Sequence, residues 1–288
     1  MLRYDGAVSS TPDAGPAVLK KRLGEELRKL RTAAKITVAR TATELDCGEG
    51  KVRHMENGRN VPSKPDLTVM IALYGATAEV HEQLEELRKA ATKRGWWSSY
   101  RLPSWLHNYV GMEADATLIR NFEVELIPGL LQIEQYARDV HTLGGPKVLG
   151  PGEVERMVEA RLKRQEILTG ATPTTYHTIF SEAALHRLNG MEYASDQNHH
   201  LLEMARKPNI TITVLPFTAN LHLSMTGGFL LLDFPLGISA PVAYYDHVTG
   251  GQLEHDAAVV ARLSEVYSEL TAHAMSPSDT IAFLGRWC

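Results

Sequence analysis

The first signal along the chain is a helical spacing of apolar positions. Leu19, Leu23, Leu27 and Leu30 share one face, because residues three and four apart are neighbours on a helix. Thr37 is placed to cap a second, short helix running through Leu45, and Asp46-Cys47-Gly48 reads as a tight turn. A third helix is expected from Glu49 to Glu56, with Val52 and Met55 facing inward and Asn57-Gly58 ending it. A fourth covers Pro65–Tyr74 and is closed by Gly75. A fifth, Thr77–Arg94, carries Val80, Leu84, Leu87 and Ala91 on one face and charges opposite. Residues 1–16 show no periodicity and read as a flexible arm.

The pattern breaks at Gly95-Trp96-Trp97. Three of the four tryptophans lie between there and Tyr109, so 95–112 reads as a linker or interdomain clasp built on Trp96, Trp97 and Trp105. Helical spacing resumes at Glu113–Glu123, Gln132–Leu143, Gly152–Thr169, Glu182–Arg187, Met191–Arg206, Leu253–His273 and near Pro277–Leu284. Four β-like runs stand among them: Thr174–Phe180, Ile210–Phe217, Gly228–Phe234 and Val242–His247. The expected fold is mainly α with an α+β C-terminal part. A five-helix domain (17–94) precedes a larger helical domain (113–288) with a small β-sheet and a regulatory, dimerisation or partner-binding role.

Composition narrows the class. The 288 residues are 44% apolar and 22% charged, ordinary values for one large or two smaller globular domains. Cys47 and Cys288 are too few for a disulfide framework or a zinc finger. No apolar run approaches the roughly 18–20 residues of a membrane helix, and the N-terminus lacks a signal-peptide core. A cytoplasmic protein that does not engage membranes is expected.

Charge is unevenly placed. The net charge is -4, yet Ala17–Pro65 holds 12 Lys/Arg against 6 Asp/Glu. A basic module on an acidic body is the electrostatic footprint of a nucleic-acid binder. Three short helices joined by tight turns are also the helix-turn-helix arrangement, whose third helix fits the major groove. Packing Val52 and Met55 on Leu27, Leu30, Ala42 and Leu45 leaves Glu49, Gly50, Lys51, Arg53 and His54 facing outward.

Leu27-Arg28-Lys29-Leu30-Arg31, Thr37, Lys51–Arg59, Pro62 and Leu73-Tyr74-Gly75 resemble the Xre (phage repressor-like) helix-turn-helix family. The resemblance implies that Arg31 pairs with Glu56 and locks the third helix onto the first. It places base contacts at Glu49, Gly50, Arg53 and His54, and phosphate contacts at Thr37, Lys51, Asn57, Arg59 and Lys64. Three departures weaken the match: Val38 where a polar residue is usual, Gly48 at a usual Ser/Thr cap, and Gly50 inside the recognition helix. Further motifs resemble the actinobacterial WhiJ-like regulators, an Xre module followed by a domain long of unknown function. They are Gly95-Trp96-Trp97, Ile127–Gln132, Tyr136-Ala137-Arg138, Arg161–Leu168, Glu182–Leu185 and Leu215-Pro216-Phe217. That likeness implies a small BldB-like or acidic protein partner. A homodimer on an inverted repeat of double-stranded DNA is expected from helix-turn-helix docking, and an unidentified small-molecule effector is the alternative input.

No nucleophile elbow, phosphate-binding loop or zinc-protease motif appears, so no catalytic residue, metal or cofactor is expected and the chain is not read as an enzyme. The mixed charges of 152–169 read as a solvated helix face. Two alternatives remain open. One is an antitoxin-like protein that sequesters a small partner and regulates its own synthesis. The other is an enzyme fused to a DNA-binding module, which a pocket gathering His247, His255 or Glu182 would favour.

Overall fold

The computed structural model describes residues 14–143, 150–219, 221–236, 238–247 and 249–288. Most of the expected arm, residues 1–13, lies outside them. The chain divides into two compact units. One comprises residues up to Trp96 with the segment 234–239; the other comprises Trp97–Asp233 and Ala240–Cys288.

The first unit is helical: α1 (Pro16–Ala33), α2 (Val38–Glu44), α3 (Glu49–Glu56), α4 (Lys64–Tyr74) and α5 (Ala78–Ala91). Four of the five starts have a local cause. Pro16 opens α1; Thr37, Ser63 and Thr77 accept backbone N–H groups at the starts of α2, α4 and α5. Gly75, left-handed at φ 68°, closes α4. The core is the apolar stripe the spacing predicts: Leu23, Leu27, Leu30, Ala42, Val52, Met55, Leu67, Met70, Leu84 and Leu87, with Leu45 half-buried against it. Gly24 sets the approach of α1 to α3. A β-carbon there would collide with the carbonyl of Met55 and lie 2.6 Å from that of Glu56.

The second unit contains α6 (Ser104–Ala114), β1 (Leu118–Glu123), α7 (Glu134–Leu143), α8 (Pro151–Gln165), β2 (Thr175–Ser181), α9 (Glu182–Leu188) and α10 (Ala194–Met204). It continues with β3 (Ile210–Leu215), β4 (Phe229–Asp233), β5 (Val242–His247), β6 (Gly250–Glu254), α11 (Ala257–His273) and α12 (Pro277–Leu284). The strands form one mixed sheet in the order β3-β2-β1-β4-β5-β6. β1, β2 and β3 run parallel, and β4, β5 and β6 join antiparallel.

Three expectations are corrected. The helix expected at 113–123 ends at Ala114, and 118–123 is β1, the strand between β2 and β4. Its partners lie far along the chain, and with apolar groups packed on both faces it lacks clean alternation. The helix expected from Leu253 starts at Ala257, where Asp256 accepts the N–H groups of Ala258 and Val259; Leu253 and Glu254 belong to β6. The sheet therefore has six strands, two more than the apolar runs indicated. The stretch 95–112 holds a short 3-10 helix, Trp96–Tyr100, and most of α6.

Side chains alternate between the two faces of the sheet. Phe122, Leu231 and Ala243 pack with Val260, Val266, Tyr267 and Leu270 of α11. Asn121, Leu230 and Tyr244, cross-strand neighbours in register, form a row with the opposite parity.

Candidate functional site

In the first unit, α3 buries Val52, Met55 and Glu56 and exposes Glu49, Gly50, Lys51, Arg53 and His54. The four base-facing candidates, Glu49, Gly50, Arg53 and His54, thus share one solvent face. The charges there are already paired. The Arg53 Nη2 donates to Glu49 Oε2 at 3.0 Å, one turn earlier. Lys51 Nζ lies 2.9 Å from Asp66 Oδ2 in the first turn of α4. The two cations are 45% and 61% exposed, and such pairs contribute only about 0–1 kcal/mol, so a phosphate or a base edge can compete for them. Arg59 and Lys64 are exposed and make no ion pair among the described residues. Asn57 ends α3, and the Thr37 hydroxyl oxygen accepts the Arg40 N–H at 3.1 Å. Gly58, at φ 66°, lies so close to α1 that a β-carbon would meet Lys21 Cα at 2.5 Å.

Arg31 donates to both carboxylate oxygens of Glu56, at 2.5 and 2.9 Å, and its third nitrogen reaches the Ile36 carbonyl at 2.9 Å. The two side chains are 13% and 5% exposed. This pair is nearly withdrawn from water, so its breakage leaves a buried charge.

Trp97 is buried in the second unit and meets His107 edge-on at a ring distance of 6.4 Å. Trp105 is half-buried in the same unit beside Gly250, while Trp96 is the last residue of the first unit before the 234–239 segment.

The second unit encloses a cavity of about 760 Å³ that the sequence did not announce. Asn121, Leu230 and Tyr244 line its sheet side; α6 supplies Trp105, Leu106 and Tyr109, and α8 supplies Met157, Arg161 and Arg164. Tyr109 stacks on Tyr244 at 3.9 Å. Arg164 is held by both oxygens of Glu113, at 2.6 and 2.8 Å, and by the Tyr109 hydroxyl at 3.1 Å. The expected solvated face of 152–169 is corrected here, because Arg164 is buried and Arg161 half-buried. Arg161 donates to Gln132 Oε1 at 2.9 Å, and its second terminal nitrogen lies 3.5 Å from His141 Nε2. Burial, reinforced by Arg164, pushes the Arg161 guanidinium down to about 10. Burial and both arginines push the His141 imidazole down to about 3, so it is neutral at pH 7. Burial, with the Asp246 charge, pushes the Glu123 carboxyl up to about 8. His247 lines this cavity; His255 and Glu182 do not. Among the described residues no three His, Cys, Asp or Glu side chains gather to hold a metal. No described helix is long and apolar enough to cross a membrane.

The family described as Domain of unknown function (DUF5753) matches residues 106–286. The chain belongs to this family. A helix-turn-helix domain matches residues 22–87, which span α1 to α5. No curated protein and no solved structure matches the chain. The helix-turn-helix match supports DNA binding and a regulator, whereas the DUF5753 region, which supplies most of the cavity lining, brings no function with it.

Proposed function

We propose that this DUF5753 protein is a sequence-specific transcriptional regulator of Xre type, arranged as in the WhiJ-like group. The outward face of α3 carries the reading: five polar or small residues are exposed on a short helix whose opposite face is locked into the core. α3 enters the major groove. Arg53, released from Glu49, donates to a guanine edge, and His54 reads a neighbouring base. Lys51, Arg59 and Lys64, with Asn57 and Thr37, hold phosphates and set the register. The protein acts as a homodimer on an inverted repeat whose half-sites lie about 34 Å apart.

The DUF5753 unit receives the signal. Its input is a small protein partner or a small molecule that binds the DNA-competent and DNA-incompetent arrangements unequally. The cavity supports the small-molecule form.

The test is binding of the purified chain to the DNA upstream of its own gene, titrated with salt. Selective binding that weakens steeply as salt rises is the expected result, because each neutralised phosphate adds about 0.9 to the logarithmic salt slope. Weak binding without sequence preference at every salt concentration overturns the regulator reading.

A further inference from the structure

The cavity of the second unit has the size of sites that enclose drug-sized ligands, roughly 300–1,000 Å³. Its polar groups are unevenly satisfied. Arg164 is neutralised by Glu113. Asp246 accepts the Tyr244 hydroxyl at 2.5 Å, and Glu153 accepts the Gly150 N–H at 3.1 Å. Arg161 differs: among the described residues no carboxylate lies within 4 Å of it, and its polar contacts are the neutral Gln132 amide and His141 ring. The guanidinium is therefore held in place by neutral groups, and the Asp246 and Glu113 charges act on it only from beyond direct contact. A second group is unanswered. Asn121 is 2% exposed; its amide nitrogen donates to the Tyr176 hydroxyl at 3.2 Å, while its oxygen has no hydrogen-bond partner among the described residues. A buried acceptor left unpaired costs about 1–3 kcal/mol, which a ligand donor or an ordered water recovers. Between these groups the wall is apolar, with Leu106, Leu130, Val140, Met157 and Leu230, and Leu126 is 40% exposed.

We propose that the cavity binds a small amphipathic carboxylic acid: the carboxylate takes the Arg161 fork, the apolar body lies on the leucine and methionine wall, and a hydroxyl or amide N–H donates to Asn121 Oδ1. Arginine suits this task because its planar donors match a carboxylate bidentately. An amine is disfavoured, because the acidic groups with partners already serve internal contacts and Glu123 is mainly protonated at pH 7. Binding stands on the cavity alone. Its role as the regulator's input rests on the reading above.

The test uses the full chain at pH 7 and three probes measured by calorimetry: N-decanoylglycine, its uncharged primary amide, and decylamine. The acid is expected to bind one per chain and at least tenfold more tightly than the amide or the amine. Arg161→Gln is expected to remove that preference. Met157→Trp, which fills the cavity, is expected to weaken acid and amide alike. Should Arg161→Gln not fold, the contrast between acid and amide on the unaltered chain and the Met157→Trp result carry the test. No binding of the acid at millimolar concentration, or equal binding of acid and amide, overturns the proposal. Tighter binding of decylamine also overturns it and moves recognition to Glu123 and Asp246. Operator binding is measured separately with and without the acid. Acid binding that leaves operator affinity unchanged refutes only the input role, and absence of operator binding refutes only the regulator reading.

Discussion

Arg31 of α1 and Glu56 of α3 face one another as a two-pronged ion pair, 2.5 and 2.9 Å long and almost out of water. The recognition helix is thereby tied to the first helix at its C-terminal end, one residue before Asn57 ends it. Removing either partner strands a charge in a poorly hydrated site. Glu56→Ala or Arg31→Ala is expected to lower unfolding free energy by roughly 3–5 kcal/mol. Urea titration of the full chain, followed by circular dichroism, checks this. The double replacement Arg31→Met with Glu56→Leu is expected to recover much of the loss, since no charge is then left buried. A single-variant loss under about 1 kcal/mol would place the pair among ordinary surface pairs.

Arg53, His54 and Arg59 separate reading from holding. Arg53 and His54 stand on the exposed face of α3, so Arg53→Ala and His54→Ala are expected to relax base preference in a randomised-site selection. Each lost base contact is worth about 1–3 kcal/mol of discrimination. Arg59 lies beyond α3 in the loop before α4, without an ion pair among the described residues. Arg59→Ala is expected to weaken binding to all sequences about equally and to reduce the salt slope by about 1. An unchanged preference for the first two variants, or a loss confined to one operator for the third, contradicts the proposed docking.

Gly50 marks a place where α3 is weaker than it need be. It lies inside the helix with ordinary dihedrals, and nothing stands within 4 Å of where its β-carbon would be. Gly50→Ala is therefore expected to stabilise the protein by up to about 1 kcal/mol, read as a raised melting temperature. If α3 lies flush in the groove, the same methyl group lowers operator affinity. A drop in stability would mean that the backbone at Gly50 is not helical in solution.

Legibility followed the range of the interactions. The first unit was readable because its signals are local: Thr37, Ser63, Thr77 and Gly75 act within a turn of where they stand, and the apolar positions of α1 and α5 recur at helical spacing. β1 was not, because its partners lie about 55 and 115 residues away (Ile119 opposite Tyr176 and Leu232) and both of its faces are packed. The cavity was hidden for a related reason. Arg161 and Arg164 stand among glutamates at helical spacing, which usually describes a solvated face. Glu113 and Tyr109, 51 and 55 residues earlier, turn Arg164 inward, and Gln132, 29 residues earlier, holds Arg161. Nothing local in 152–169 distinguishes those arginines from surface ones.

The cavity carries two titrating groups with opposite effects on stability. Folded His141, pushed down to about 3 by burial and by Arg161 and Arg164, resists a proton that the unfolded chain accepts below about 6.5. Its contribution is fully present above pH 6.5 and is lost as pH falls towards 3. Folded Glu123, pushed up to about 8 by burial and by Asp246, keeps a proton that the unfolded chain releases above about 4.5. Its contribution is fully present below pH 4.5 and is lost as pH rises through 8. Each proton is worth about 1.4 kcal/mol per pH unit, so the two slopes cancel between about pH 4.5 and 6.5. Stability from this pair is therefore expected to be level there, to fall on the acid side through His141, and to fall between pH 6.5 and 8 through Glu123. Urea midpoints of the full chain from pH 3.5 to 8.5 test this. His141→Gln should flatten the acid limb and expose a downward slope across the former plateau, whereas Glu123→Gln should flatten the alkaline limb and expose an upward slope across that plateau. Profiles parallel to that of the unaltered chain in both variants would mean that neither group is shielded from water as the cavity walls require.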